Sequence, residues 1–469
     1  MPKKALEIKG YGGINKLHTR QLGNPSNGKN YWTRSGSLYT REGCSVVAGT
    51  PFAASIETMH TAAKVGLANS IFLVEEGDNL WHSRDGLTTW TSIKGDVTGN
   101  GYGSCIWGTP YGDYYILLVS GTQQLVYDIT DGTLAAMVNE DGDVPSFEFL
   151  TTFRGFVWGW NPNYADSNLI RFCGYDANED VSVDWWPLDF SINPSGNPGE
   201  PVLAAHPINE ELFVLTDKGS YHIYGFSEDN FETAFAGNIG LYGVRCSARV
   251  GDYVIWLDRD QKVQAYSGTN AYTVSQPIDE FLADETFTGV YAVGMGKRFW
   301  LNFPDSTNTK TTSYVFDVEE KGWYIHEFPG VFTAGAYHGE YLADMYAYYG
   351  MSDGRLVELD PDETTDFNTD ITTGFTIGPI NMESRKLKGK RIHLSAEPKS
   401  DFSLDIYSQV DQEDEVGPET VDFETGGQVD ASAKISAKKG KNLSIRIETT
   451  NKIDELQGAT ITVKPGRLK

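Results

Sequence analysis

Few side chains in this sequence are spaced for chemistry. Two pairs of acids stand two residues apart in turn-like runs, Asp141 with Asp143 in N-E-D-G-D and Asp360 with Asp362 in D-P-D. Carboxylates so spaced can face one hard cation, but neither pair continues into a twelve-residue loop closed by a glutamate, so both read as solvated turn acids. The eight histidines, among them His206, His222, His326 and His338, show no H-x-x-x-H or H-E-x-x-H spacing, which argues against a zinc site. Neither a G-K-S/T phosphate loop nor a G-x-S-x-G nucleophile elbow occurs. Cys44, Cys105, Cys173 and Cys246 stand singly, as free buried thiols made in a reducing cytoplasm would. The sequence therefore reads as a binding or building module with no catalytic residue, cofactor or metal, and not as an enzyme.

The elements that would position any site come from a repeat. Residues 114–133, Y-Y-I-L-L-V-S-G-T-Q-Q-L-V-Y-D-I-T-D-G-T, give an apolar strand, a polar turn, a second strand and a closing Asp-Gly turn. The same pattern recurs at 70–91, 211–231 and 252–272, and more loosely at 154–175, 297–324 and 344–359. Copies begin roughly 40 to 57 residues apart, the period of propeller blades of about four short strands each. About seven blades fit between residues 60 and 365, and the N-terminal segment is a candidate to supply a strand that closes the ring.

Composition agrees. Aromatic residues make up 13% of the 469, glycines number 50, and scarcely any window has helical period, so the chain is expected to be all-β. Its formal charge is -26, which makes non-specific binding to phosphate backbones unfavourable. Residues 370–469 hold 15 bases and 16 acids against chain totals of 38 and 64, leaving 23 and 48 in residues 1–369, a difference of -25. That shift, with the turn-rich run at 360–370, places a domain boundary near residue 368. Beyond it, six or seven short alternating strands suit a β-sandwich, crossed by an acidic loop at 409–428. The expected domains are an extended N-terminal arm over 1–50, a β-propeller over 51–368 and a β-sandwich over 369–469. The start lacks an apolar h-region and no run approaches 18 apolar residues, so neither a signal peptide nor a membrane segment is expected.

The arm has too few apolar residues to fold alone. Its Tyr31 and Trp32 are expected to contact a neighbour or the propeller, because such rings cost free energy when exposed. Bases cluster at Arg385, Lys386, Lys388, Lys390 and Arg391, and again at 434–441. Their expected partner is an acidic surface, the acidic propeller included.

Two resemblances add to this reading. The run S-R-D-G-L-T-T-W at 83–90 resembles the Asp box of sialidases and related propellers, in which a Ser and an Asp brace a hairpin turn and a Trp packs beneath. That likeness implies a structural turn at Ser83, Asp85, Gly86 and Trp90, although the glycine sits one position early and one convincing copy occurs. It also keeps a carbohydrate-binding or sialidase-like propeller as the alternative function, against which stands the absence of the sialidase Arg-Ile-Pro run. The second likeness spans both ends. Gly12-Gly13-Ile14-Asn15 and the run G-S-L-Y-T-R-E-G at 36–43 resemble the start of tailed-phage virion proteins, where a glycine-rich arm precedes a Gly-x-Leu-x-x-Arg-x-Gly hairpin and a propeller. F-T-I-G-P-I at 375–380, the basic run 385–391 and E-L-Q-G-A-T-I-T-V at 455–463 are similar to the closing sandwich of that group. The family is that of the tail nozzle, packaged-DNA stabilisation or tail accessory proteins of short-tailed phages. Membership implies a virion tail protein made in the host cytoplasm, without catalytic residues. It implies a homo-oligomeric ring, usually a hexamer, prolonging the portal and head–tail adaptor channel. Such a ring retains double-stranded DNA without specific binding and anchors fibre or needle proteins. In such a ring carboxylates are expected to line the bore, with the stretch 385–391 facing away from it.

Overall fold

The computed structural model describes residues 4–8, 27–34, 37–62, 71–97, 101, 103–109, 113–140, 142–175, 181–305, 307, 309–339, 345–360, 363, 365–381, 387–398, 400–411, 413–424, 429–435, 441–453 and 455–465. Strands dominate it.

Seven sheets follow one another, six of four antiparallel strands and the last of six strands, their first strands beginning at residues 56, 103, 149, 202, 247, 291 and 332. Each sheet is a meander, and the first strands of neighbouring sheets lie against one another, as the innermost strands of a seven-bladed β-propeller must. The apolar runs visible in the sequence are the second strands, such as Ile71–Glu76 and Tyr253–Leu257, which are buried on both faces between blades and so lose the alternation of a half-exposed strand. Blade three interrupts its meander with a small hairpin, Gly174–Tyr175 against Val181–Ser182.

The beginning of the chain closes the ring. Gly43–Val46 pairs antiparallel with Leu356–Asp360 as the fourth strand of blade seven, and Thr365–Asp366 then lies parallel to it. Gly43 is required there by close approach: a Cβ would sit 2.5 Å from the Thr365 carbonyl oxygen and 2.9 Å from that of Glu363.

The sandwich is not made from residues 369–469 alone. One sheet orders Tyr31–Arg34, Ser37–Thr40, Leu456–Pro465, Leu387–Ala396 and Val429–Lys434, with Lys4–Ile8 also on Leu456–Pro465. The other orders Asn27–Lys29, Thr373–Asn381, Asn442–Thr449, Phe402–Val410 and Val416–Phe423. Residues expected to form an arm thus add strands to both sheets before crossing to blade seven, so the described residues of this segment weave between two domains. The run 409–428, expected as a loop, contains the edge strand Val416–Phe423, whose Asp422 stands on its exposed side while Glu419 is half-buried. One apolar core runs through the junction, holding Trp256 and Trp300 of the blades, Tyr31, Trp32 and Leu38 of the weave, and Phe375 and Ile445 of the sandwich.

Gly43→Val is expected to force the closing strand off Thr365 and to cost about 2–3 kcal/mol or more. Urea unfolding should show the loss, and limited proteolysis should find cleavage concentrated between residues 43 and 50.

Candidate interaction site at the domain junction

Asn30 and Arg41 face each other where the weave leaves the sandwich. Asn30 takes a left-handed backbone conformation (φ 58°), which asparagine tolerates better than most residues. Its amide N–H donates to the Ile325 carbonyl of blade six at 2.8 Å, and its Nδ2 donates to the Thr372 carbonyl at the start of the sandwich at 2.9 Å. Its Oδ1 accepts from the Glu327 backbone at 2.9 Å and from Arg41 Nε at 3.0 Å.

Arg41 is 2% exposed. Besides Asn30, its Nη1 donates to the Glu42 carbonyl at 2.7 Å and to Asp366 Oδ1 at 3.0 Å. Its Nη2 donates to the Glu327 carbonyl at 2.7 Å and to Asp366 Oδ2. All five donors of the guanidinium are therefore used, and its flat face lies 4.1 Å over the Phe328 ring. Asp366, itself buried, belongs to the strand laid parallel to the closing strand of blade seven. One side chain thereby ties the weave, blade six and blade seven together. Sequence reasoning missed it: Arg41 appeared only as a motif letter and Asp366 as one acid of a turn-rich linker.

Tyr31 and Trp32, expected to contact a neighbour or the propeller, are 0% and 5% exposed within the single chain. Trp32 packs edge-on to His326 at 4.2 Å and Tyr324 at 4.9 Å, with the Arg298 guanidinium 3.7 Å over its ring. Tyr31 meets Tyr324 at 5.7 Å and Phe375 at 6.2 Å. Their neighbour is the molecule's own propeller and sandwich, because the weave buries them between the two.

Beside this junction a cleft of about 540 Å³ opens between blade six and the sandwich. Lys29 pairs with Glu327 at 2.7 Å across its mouth. Arg446 holds Glu415 by two donors and stacks 3.9 Å over Tyr407. Tyr314 donates to Glu285 at 2.7 Å, and burial raises that carboxyl above its usual range. These bases are matched by acids, so the cleft carries no excess of positive charge to hold a phosphate. Among the described residues, no three His, Cys, Asp or Glu side chains come together to hold a metal ion. Asp141 and Asp362, from the two acid pairs, lie outside the described residues.

The turn at Ser83 is a brace. Asp85 Oδ1 accepts from Ser83 Oγ at 3.0 Å and from the backbone of Thr88 and Thr89 at 3.1 and 2.9 Å, while Leu87 N donates to Ser83 Oγ. The Thr89 hydroxyl bond leads the causes that hold the Asp85 carboxyl down to about 2. Gly86 takes φ 74° and Trp90 packs edge-on to Phe52 at 4.9 Å. Of the seven innermost strands, only Ser247–Val250 carries an arginine, Arg249, so they hold no arginine triad for a carboxylate substrate. Lys388 and Arg391 are exposed and Lys390 is half-buried on Leu387–Ala396, whereas Arg385 and Lys386 lie outside the described residues.

The histidines are spaced by the blades. His60 and Ser104 join the innermost strands of blades one and two at 2.7 Å, and His206 and Ser247 join those of blades four and five at 2.8 Å. On the third strands His82 meets Tyr127 at 2.9 Å and His222 meets Tyr266 at 3.5 Å, at the same two interfaces. Burial lowers His60 and His206 to about 4, with Arg249 adding to the effect at His206.

No family model and no curated protein matches the chain. Among solved structures it is similar to the AfRom2 CNH domain, at 9% identity over 68% of this chain and 99% of that one, with a TM-score of 0.41. It is likewise similar to BBS1N from a complex with ARL6DN (11% identity, 70% and 98% coverage, TM-score 0.44). A third is a chain of the mitotic checkpoint complex (11% identity, 69% and 96% coverage, TM-score 0.39).

Arg41→Ala leaves the Asp366 carboxylate buried without its partner and is expected to cost about 3–5 kcal/mol, whereas removing both charges with Arg41→Met and Asp366→Leu should cost much less. Denaturant unfolding of the three chains measures both. His60 and His206 bind their protons in the unfolded chain near pH 6.5 but in the folded one near 4. Stability should therefore fall as pH drops through that window, by about 1–3 kcal/mol for the pair given their partial exposure. The double variant His60→Gln, His206→Gln should show a shallower fall in its urea midpoints.

Proposed function

We propose that this chain is a structural subunit of a tailed-phage tail. It forms a ring below the portal and head–tail adaptor that prolongs the DNA channel, retains packaged DNA and anchors fibre or needle proteins. The observation that carries the reading is what the Gly-x-Leu-x-x-Arg-x-Gly motif does. Leu38 is fully buried in the shared core, Arg41 is the five-donor tie, and Gly43 is the close approach that closes blade seven. The second run of the resemblance, 375–380, supplies Phe375, Ile377 and Ile380 to the same core, and the third is the strand on which Lys4–Ile8 and Leu387–Ala396 pair. Leu38, Arg41, Gly43 and the run 375–380 thus help to make two domains into one body, which a part that must transmit force along a tail requires. The acidic balance of residues 1–369 adds support, since like charge lets DNA slide without the counterion release that makes it stick.

Electron microscopy and solution mass of the purified full chain test this. A closed ring with a carboxylate-lined bore is expected. A chain that stays monomeric and retains sugars on a glycan array would move the assignment to a carbohydrate-binding propeller, and a bore lined by lysine and arginine would end the conduit reading.

A further inference from the structure

Outer strands of propeller blades present unpaired backbone groups, and folds blunt such edges by shortening or covering them. Here blades one, two, three and five end in strands of 4, 3, 2 and 2 residues. The long outer strand of blade six, Gly322–Pro329, is covered by the weave, with Asn30 bonded to Ile325, and blade seven is extended by Thr365–Asp366. Blade four is the exception. Glu232–Gly237 runs six residues and pairs, among described strands, with Ser220–Tyr224 alone. Aromatic rings stand exposed on and beside it: Phe235 at 58%, Phe226 at 67% and Tyr224 at 42%. Glu228, Asp229 and Glu232 flank this edge, with the Arg154 guanidinium 4.5 Å over the Phe226 ring as the base beside them, so the acids outnumber the base and favour a basic occupant.

The same chain carries a matching edge. The sandwich meets the propeller through Asn27–Lys29 and Tyr31–Arg34, which leaves Val416–Phe423 and Val429–Lys434 as the edges of its two sheets farthest from that contact. Val416–Phe423 is guarded by Pro418, Glu419 and Asp422, which disfavour pairing. Val429–Lys434 has no proline and is six residues long. Its exposed Lys434 sits directly across from exposed Arg391, a like-charge pair that costs free energy until an acid arrives. Neither of these two bases is ion-paired to a described residue.

We infer that Glu232–Gly237 of one copy pairs edge to edge with Val429–Lys434 of a second copy, building on the assembly reading above. Antiparallel pairing places Glu232 opposite Lys434 and Phe235 opposite the small Ala431. The contact is head-to-tail, so its repetition closes a ring if the rotation per copy allows it and otherwise grows a filament.

Sedimentation velocity of the full chain, with thermal unfolding as a control, tests the contact. Phe235→Lys and Lys434→Glu should each weaken association by at least about tenfold while leaving the melting temperature unchanged, since both side chains are exposed. Glu232→Lys combined with Lys434→Glu in one chain should restore association. Mixing an Ala234→Cys chain with a Ser432→Cys chain should give an intermolecular disulfide on mild oxidation. A ring that assembles with unchanged affinity in every variant overturns this contact and leaves the assembly reading standing. Filaments or dimers that respond to the charge swap support the contact and overturn the ring. A chain monomeric at all concentrations overturns both.

Discussion

Taking a guanidinium and a carboxylate out of water costs several kcal/mol per ion, and their attraction offsets this only where the geometry is good and the remaining donors are bonded. At Arg41 and Asp366 both conditions hold: the fork is bidentate and the other three N–H groups meet Asn30, Glu42 and Glu327. Since an unpaired remnant would be costly, the pair is a test that the fold must pass. The weave must reach blade six, and the strand after blade seven must reach the weave, before either charge is stable in its site. That coupling explains how the short strands between residues 27 and 46, with little apolar content of their own, are held between two larger domains. They are ordered by what they complete.

Ring closure follows the same logic. Many-bladed sheets stack through apolar faces, and the last interface must be held because its strands come from distant parts of the chain. Here the outer strand of blade seven is the segment that has just left the sandwich, so the propeller closes only as the two domains dock. Polar bonds between the innermost strands add to this at particular interfaces. Thr61 and Thr333 bond across blades one and seven, and the two histidine pairs bond across blades one to two and four to five. Neutral imidazoles suit these walls, since a charge there would face desolvation with no carboxylate opposite.

Charge is distributed as if for contact at a distance from this joint. Glu228, Asp229 and Glu232 lie along the outer edge of blade four, Arg391 and Lys434 face each other at one far edge of the sandwich, and the intramolecular contact between the domains uses none of them. An exposed aromatic edge with no lysine to guard it is otherwise an aggregation hazard, which is a physical reason to look for the surface that covers it.

What the sequence determined by itself was local. Contiguous apolar runs ending in Gly and Asp turns read out the middle strands of the blades, because burial on both faces forces apolar side chains into short unbroken stretches. The sandwich was legible in the strict alternation of Phe402–Val410 and Asn442–Thr449. The Ser83 turn was legible because the bonds of Ser83 and Asp85 that brace it reach no further than four residues. Tertiary structure alone decided that the arm belongs to both domains. The partners of Asn30 and Arg41 lie some 300 residues away, and no local pattern marks a strand that pairs across such a distance. It likewise decided that Tyr31 and Trp32 face inward: an aromatic pair on a short polar segment reads alike whether another molecule or the rest of its own chain covers it, and only the packed core distinguishes the two.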